Sequence, residues 1–232
     1  MYRDHQVCRA CGNHDLTPVF DLGVQPLAND FCLPGGERKG FAPLKVLFCP
    51  KCTLGQLSVV VDPSVLYENY PYVTSNSETM LTHFGNLLKD IREESGVGPL
   101  VEIGSNDGLC LRFLDDAGFG PVLGIDPAEN LCMIASKRDI RTITALFDFE
   151  AAKDAKRVLR QVNTVIARHV FAHADNWDEF IGALEEMSNP ETLVCLECPY
   201  CPDMISTGAW DTIYHEHLSY VTLRSVEALL EG

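Results

Sequence analysis

Pro99-Leu100-Val101-Glu102-Ile103-Gly104-Ser105-Asn106-Asp107-Gly108-Leu109-Cys110-Leu111-Arg112-Phe113-Leu114 joins two apolar runs through a polar turn bounded by glycines. The first run is short and bulky, as a buried strand requires, and ends at Gly104. The second, Leu109 to Leu114, reads as a helix that stops near Gly118. Downstream the alternation repeats. Pro121-Val122-Leu123-Gly124-Ile125-Asp126 is a second buried strand closed by an acid, with helical residues from Ala128 towards Lys137. Thr142-Ile143-Thr144, Val162-Asn163-Thr164-Val165-Ile166-Ala167 and Thr192-Leu193-Val194-Cys195-Leu196-Glu197 supply further strands, with helical segments such as Trp177 to Met187 between them. Strands alternating with helices predict an α/β fold with a parallel, doubly wound sheet.

In such a sheet a ligand lies at the carboxyl ends of the strands, near the point where strand order reverses. Gly104 lets the backbone come close to it. Asp126, about 20 residues further on, is placed to accept hydrogen bonds from both hydroxyls of a ribose. The dinucleotide spacing G-x-G-x-x-G is absent between Glu102 and Gly108. An acid two residues before the glycine suits a cofactor with a cationic amino-acid end better than a pyrophosphate, which favours S-adenosylmethionine over NAD. The plain alternative is a glycine turn that only closes a βα unit.

Nearer the N-terminus stand Cys8-Arg9-Ala10-Cys11 and Cys49-Pro50-Lys51-Cys52, each a C-x-x-C pair. One such turn presents two thiolates to one point, and two of them make the tetrahedral set that zinc takes. Gly12 suits the tight turn after the first pair. Pro18-Val19-Phe20 and Lys45-Val46-Leu47-Phe48 read as short strands, so residues 1–60 predict a zinc-ribbon-like module with a long insert. Four cysteine ligands close the site, so the zinc at Cys8, Cys11, Cys49 and Cys52 is expected to be structural. In so small a module it would supply much of the folding energy. The alternatives are four unrelated buried thiols or a redox disulfide. Cys32 is expected to pack, and His5 and His14 lie close by without being needed as ligands. Cys195, Cys198 and Cys201 have no evident fourth ligand and read as packing residues. Residues 61–97 are then a helical linker and 98–232 the cofactor domain.

The 232-residue chain carries a formal net charge of −15, which repels phosphate backbones and argues against a nucleic-acid partner. No apolar run approaches the roughly 18–20 residues of a membrane span. Met1-Tyr2-Arg3-Asp4-His5-Gln6 has no apolar stretch behind it, so a cytoplasmic location is expected rather than secretion. The ten cysteines are then expected as metal ligands and core residues, not disulfides.

Asp211-Thr212-Ile213-Tyr214-His215-Glu216-His217-Leu218-Ser219-Tyr220 gathers two histidines, a glutamate and two tyrosines. On an extended segment His215 and His217 would share one face, with Glu216 on the other. Arg168-His169-Val170-Phe171-Ala172-His173 follows the fourth strand directly, where an active-site loop belongs. Histidine with glutamate is the usual means of moving a proton near neutral pH. H-E-H is not H-E-x-x-H, so a metalloprotease is disfavoured. The alternative is a polar loop whose histidines are merely hydrogen-bonded.

Together these residues resemble the sugar C-methyltransferases of deoxysugar biosynthesis, which act on nucleotide-linked 4-keto sugars. The resemblance rests on the paired C-x-x-C module, Leu22-Gly23-Val24-Gln25-Pro26-Leu27-Ala28-Asn29, Tyr70-Pro71-Tyr72-Val73-Thr74-Ser75-Asn76-Ser77, Glu102 to Gly108, Val170-Phe171-Ala172-His173 and Tyr214-His215-Glu216-His217. It implies a class I methyltransferase-type sheet behind the zinc module. It also implies removal of the proton next to the ketone and methylation of the resulting enolate. His217 falls on the base, with Glu216 and Tyr214 beside it. His173 falls on another active-site histidine, and Tyr72 on a tyrosine from the N-terminal part. The expected cofactor-side residues are Glu102, Gly104, Ser105, Asp107, Asp126, Pro127, Leu146, Phe147 and His169. Similar proteins carry asparagines at the positions of Arg168 and His169, and continue into a further C-terminal α/β domain. This chain stops at Leu229-Leu230-Glu231-Gly232, at the end of an expected helix, so the cofactor domain is expected to be C-terminally incomplete. The competing functions are an oxygen or nitrogen methyltransferase on a small molecule, and an inactive interaction module.

Overall fold

The computed structural model describes residues 1–38, 40–68 and 70–231; Gly232 of the expected last helix lies outside the described residues. The chain opens with β1 (Tyr2–Asp4), β2 (Thr17–Pro26), β3 (Phe41–Phe48), β4 (Gly55–Leu57) and β5 (Val59–Val61), then α1 (Pro63–Tyr67) and α2 (Thr79–Glu94). Strand and helix then alternate: β6 (Leu100–Ile103), α3 (Leu109–Asp116), β7 (Val122–Ile125), α4 (Glu129–Ser136), β8 (Thr142–Ile143), α5 (Phe149–Leu159), β9 (Thr164–Arg168), α6 (Trp177–Met187) and β10 (Leu193–Glu197). The last elements are α7 (Cys201–Thr207), β11 (Ser219–Tyr220) and α8 (Leu223–Leu230). Among the described residues no helix is long and apolar enough to cross a membrane. Residues 67–170 and 179–197 form one compact unit; residues 1–66, 171–178 and 198–232 form another.

The first of these units is built on a five-stranded sheet of order β10-β9-β6-β7-β8. All four pairings are parallel. β6 lies at the centre with all four residues buried, which explains its largely apolar run, interrupted only by Glu102: helices cover both faces of a parallel sheet. Phe84 and Ile91 of α2 pack with Leu111 and Leu114 of α3 and with Ile140 and Ile166. Strand order runs outward through β7 and β8 on one side of β6, and through β9 and β10 on the other. The reversal therefore falls between β6 and β9, and the loops after these two strands form the ligand-binding crevice of such a sheet.

The other unit holds a four-stranded sheet of order β11-β4-β3-β2 and a two-stranded pairing of β1 with β5. Leu44, Val46, Leu57 and Val60 from the N-terminal strands pack with Met204, Ile213, Leu218 and Tyr220 from the C-terminal stretch. β11 pairs antiparallel with β4, Ser219 opposite Gln56 and Tyr220 opposite Gly55. A Cβ at Gly55 would lie 3.2 Å from the Tyr220 Cβ, so the glycine makes room for the tyrosine. This packing divides the chain otherwise than the linear expectation of 1–60, 61–97 and 98–232. β4 is a short buried strand with an edge to fill, and the C-terminal stretch fills it. Of the three evenly spaced cysteines, Cys195 packs against the Phe84 cluster and Cys201 against the Leu57 cluster, so these two divide between two cores. Cys32, expected to pack, is exposed. It adjoins a turn in which the Gly36 N–H donates to the Leu33 carbonyl (2.8 Å), so local bonding rather than burial orders the backbone there.

Candidate active site and metal centre

The two C-x-x-C turns are built alike. The Gly12 N–H donates to the Cys8 carbonyl at 3.0 Å, and the Thr53 N–H donates to the Cys49 carbonyl at 2.9 Å. Gly12 and Thr53 sit at matching left-handed positions, φ 67° and 65°. A β-branched residue there is strained; Thr53 is held in place through a 2.7 Å hydroxyl–hydroxyl bond with Thr222. The sulfurs converge. Cys8 and Cys52 Sγ are 3.4 Å apart, Cys11 and Cys49 Sγ are 3.6 Å apart, and all four lie within 4.8 Å of one another. Zn–S bonds of about 2.3 Å in a tetrahedron require S···S separations of about 3.8 Å, so the four thiols fit zinc. Asn13 Nδ2 donates to Cys49 Sγ at 3.6 Å, the outer hydrogen bond that orients a thiolate ligand.

In the parallel-sheet unit, Gly104 closes β6 with φ 67°, and a Cβ there would lie 2.3 Å from Val170 Cγ2. The Val170 side chain fills the space that a side chain at this position would need. Asp126 follows β7. Its Oδ2 accepts from the Asn106 N–H (2.8 Å) and its Oδ1 from the Ala128 N–H (2.9 Å). Each oxygen retains a lone pair for a ligand hydroxyl. Burial holds this carboxyl above its usual range against those two N–H bonds. Asp107 is fully buried; its Oδ2 meets Arg138 Nη1 at 2.8 Å and accepts from the Ser75 N–H at 3.2 Å. It therefore braces the turn. The Ser105 hydroxyl lies against Gly124, where a Cβ would be 2.3 Å from its Oγ. Pro127 is half-buried beside Asp126, Leu146 is exposed, and the Phe147 ring meets Phe180 edge-on at 5.1 Å. The Tyr72 ring is exposed, while its carbonyl accepts from Asn106 Nδ2 at 3.1 Å.

Glu102 is placed differently from the sequence expectation of a carboxylate facing a cationic ligand. It is 0% exposed, and its Oε1 accepts from Arg168 Nη2 (2.6 Å) and Nε (3.1 Å). The Arg168 guanidinium also lies 4.7 Å from the centre of the Phe84 ring. Burial opposes the arginine's charge, but Glu102 more than offsets it and raises the guanidinium pKa. Nothing in the spacing signalled this pair, since its members are 66 residues apart.

A second unforeseen cluster lies at the ends of β9 and β10. Glu197 Oε2 is 2.7 Å from His83 Nε2, and Oε1 is 3.0 Å from His169 Nε2. His169, expected on the cofactor side, takes a left-handed φ of 54°, and its N–H donates to the Glu197 carbonyl at 2.7 Å. Burial pushes the Glu197 carboxyl up, but hydrogen bonds and charge from His169 and His83 outweigh it and hold the pKa at about 2. A depressed carboxylate adds stability above its unfolded pKa of about 4.3. That stability is lost as the pH falls through the folded value. Glu197→Gln is therefore expected to flatten the loss of stability between about pH 4.3 and pH 2, as read by urea denaturation. An unchanged acid limb would refute the bridge.

In the unit formed by residues 1–66, 171–178 and 198–232, the sequence pattern of alternating faces at Tyr214–His217 gives way to a turn: the His217 N–H donates to the Tyr214 carbonyl at 3.1 Å. His215 and His217 consequently part company. His215 is 1% exposed and its Nε2 donates to the Ala42 carbonyl at 3.1 Å, a structural role. His217 Nδ1 lies 2.8 Å from the Thr212 carbonyl and Nε2 lies 3.0 Å from the Tyr214 hydroxyl. A carbonyl only accepts, so Nδ1 carries a proton, and in the neutral ring Nε2 is the acceptor. The His173 ring stands edge-on to His217 with centroids 4.9 Å apart. Glu216 is 1% exposed and its Oε1 accepts from Asn29 Nδ2 at 2.7 Å. The unit thus brings together His173, Tyr214, Glu216 and His217, and adds Asn29.

A family model described as a methyltransferase domain matches residues 79–232, and another described as a zinc binding domain matches residues 8–67. The chain belongs to the methyltransferase-domain family, with the class I methyltransferase type of sheet. Among curated proteins it is 34% identical over 230 residues to the C-methyltransferase NovU of Streptomyces niveus. That alignment covers 97% of this chain and 54% of the relative, so the chain spans about half the relative's length. Among solved structures, the plantazolicin methyltransferase BpumL in complex with SAH is similar in fold (TM-score 0.51, 20% identity, 68% of this chain and 66% of that one). So is a complex of the Haloferax volcanii Trm112 methyltransferase activator and its methyltransferase (TM-score 0.52, 16% identity, 68% and 72%).

Proposed function

We propose that this chain carries the machinery of an S-adenosylmethionine-dependent carbon methyltransferase acting on a nucleotide-linked keto sugar, with His217 as base. The carrying observation is the hydrogen bonding of His217. Nδ1 donates to the Thr212 carbonyl, so Nε2, 3.0 Å from the Tyr214 hydroxyl, is the basic nitrogen of the neutral ring. Such a nitrogen suits removal of the weakly acidic proton on the carbon next to a ketone, a step that methylation of a hydroxyl or amine does not need. As that C–H bond breaks, its electron pair moves to the ketone oxygen and the proton goes to Nε2. The Tyr214 hydroxyl, 3.0 Å from Nε2, can then donate to the developing oxyanion. S-adenosylmethionine, when bound, supplies the electrophilic methyl group. Asp126 offers two fixed acceptors to its ribose, and Gly104, Pro127, Leu146, Phe147 and His169 complete the cofactor side. Similarity to the C-methyltransferase NovU supports carbon as the acceptor atom.

Two variants test this reading separately. Asp126→Ala is expected to abolish calorimetric binding of S-adenosylhomocysteine while the protein stays folded. His217→Ala should bind that ligand as the parent does. It should also slow deuterium uptake at the carbon next to the ketone of a nucleotide-linked 4-keto sugar by about 100-fold or more. Unchanged deuterium uptake in His217→Ala would overturn the assignment of the base. Methyl transfer to oxygen or nitrogen would overturn the reaction class.

A further inference from the structure

Residues 70–75 lie between α1 and α2, in the same compact unit as the turn after β6. Two asparagine side chains of that unit bond to their backbone. Asn130, in the first turn of α4 just beyond Asp126, donates through Nδ2 to the Tyr70 carbonyl (2.9 Å) and accepts the Tyr70 N–H on Oδ1 (3.2 Å). A neighbouring antiparallel strand would exchange the same two bonds with one residue. Asn106, in the turn after β6, donates through Nδ2 to the Tyr72 carbonyl (3.1 Å) and accepts the Thr74 N–H on Oδ1 (2.9 Å). The Ser75 N–H goes to Asp107 Oδ2 at 3.2 Å. A backbone N–H only donates and a carbonyl only accepts, so these partners fix which way each amide points. They also explain the residue type, since aspartate would lack the donor. Asn106 takes a left-handed φ of 52°, which asparagine tolerates better than most side chains. Its own N–H donates to Asp126 Oδ2 at 2.8 Å. One residue thus holds Asp126 with its backbone and the 70–75 segment with its side chain. The two anchor points stand after β6 and after β7, so the segment bridges the carboxyl ends of these paired strands, where such a sheet takes its ligand.

We infer that residues 70–75 form a strap over the cofactor crevice, with Asn106 and Asn130 as the positioning residues that hold it shut and so slow the release of bound cofactor. This rests on the reading of Gly104 and Asp126 as the cofactor side. A ribose on Asp126 steadies the carboxylate, the carboxylate steadies the Asn106 backbone, and the Asn106 amide steadies the strap. Release then requires the strap bonds to open. Tyr72 rides on the strap with its ring exposed, so the same clamp sets where that ring is presented.

The full chain carrying Asn130→Ala tests this first. Alanine suits a helix at that position and leaves the turn after β6 and the bonds of Asp126 in place. Asn106→Gly is the companion: glycine keeps the left-handed backbone and the N–H to Asp126, and removes the amide. S-adenosylhomocysteine is the probe, displaced by excess unlabelled ligand and followed by stopped flow. Dissociation should be about tenfold or more faster in each variant, with association changed less, since lost contacts act mainly on the rate of leaving. Amide hydrogen exchange of the unliganded chain gives a readout independent of the cofactor. The Tyr70 N–H should lose protection in Asn130→Ala, and the Thr74 N–H in Asn106→Gly. In the parent, bound S-adenosylhomocysteine should slow the exchange of both. An asparagine that only adds stability would lower the melting temperature and leave the dissociation rate at the parent value. Folded variants with the parent dissociation rate would overturn the inference, and so would an affinity loss carried wholly by slower association. A parent that binds no S-adenosylhomocysteine would overturn the cofactor reading together with the strap; a parent that binds it, with variants that release it no faster, would overturn the strap alone.

Discussion

Cys49→Ser, or prolonged chelation of the metal, is expected to unfold the unit formed by residues 1–66, 171–178 and 198–232. One hydrophobic cluster of this unit, Leu44, Val46, Leu57, Val60, Met204, Ile213, Leu218 and Tyr220, is drawn from two separate stretches of chain. Structural zinc in small modules contributes apparent free energies of about 10–16 kcal/mol. That equals or exceeds the net stability of a whole domain, about 5–15 kcal/mol. The metal term therefore decides whether this unit folds. The consequence reaches the chemistry, because His173, Tyr214, Glu216 and His217 all belong to this unit. The other unit has its own buried core around Phe84, Leu100, Leu111 and Leu114. In the serine variant we expect zinc content to drop, limited proteolysis to open at β2 to β4 and around β11, and deuterium uptake by the keto sugar to vanish. Calorimetric binding of S-adenosylhomocysteine should persist. Protease resistance at β11 that survives complete removal of zinc would refute this account.

Much of this arrangement was legible because it rests on short-range rules. β6, β7, β9 and β10 are largely apolar runs of four or five residues, and each fell within a residue or two of its expected place. The C-x-x-C pairs state their chemistry in their spacing, and the four sulfurs do converge. What was not legible depends on partners distant in sequence. β11 is two residues long, and nothing in Ser219-Tyr220 announces that it pairs with Gln56 and Gly55. The alternation expected at His215 and His217 failed because a local Tyr214–His217 turn bond competes with extension. Arg168 was noticed as a residue after a strand, but its meaning came from Glu102, and that of His83 from Glu197 across 114 positions. Asn29 was part of a recognisable segment, yet its bond to Glu216 spans most of the chain. Patterns reveal which faces are buried; pairings between buried polar groups have no period to follow.

Truncating either member of the Glu102–Arg168 pair alone should cost about 3–5 kcal/mol, because it strands a buried charge or its hydrogen-bonding partner. The pair is well sealed: Glu102 is fully buried, the Arg168 side chain is 8% exposed, and the contact is 2.6 Å. Glu102→Gln keeps shape but leaves a guanidinium facing a neutral amide. Arg168→Met leaves a carboxylate at the centre of the sheet with no cation. Replacing both with apolar residues, Glu102→Leu with Arg168→Met, removes two desolvation costs at once and should recover most of the loss, since buried ion pairs exchanged whole for packed apolar groups are often neutral. A double-mutant cycle by urea denaturation measures this directly, and the expected coupling is large and favourable. The cycle also separates stability from function. Glu102 ends one residue before Ile103 and two before Gly104, and Arg168 is the last residue of β9, so the pair spans the strand-order reversal where the sheet takes its ligand. If the pair serves only folding, the double variant should bind S-adenosylhomocysteine as the parent does. If it also sets the backbone at Gly104 and His169, stability should return while affinity does not. Additive single and double effects would show that the two groups do not act as a pair at all, and that Arg168 owes its place to the Phe84 ring instead.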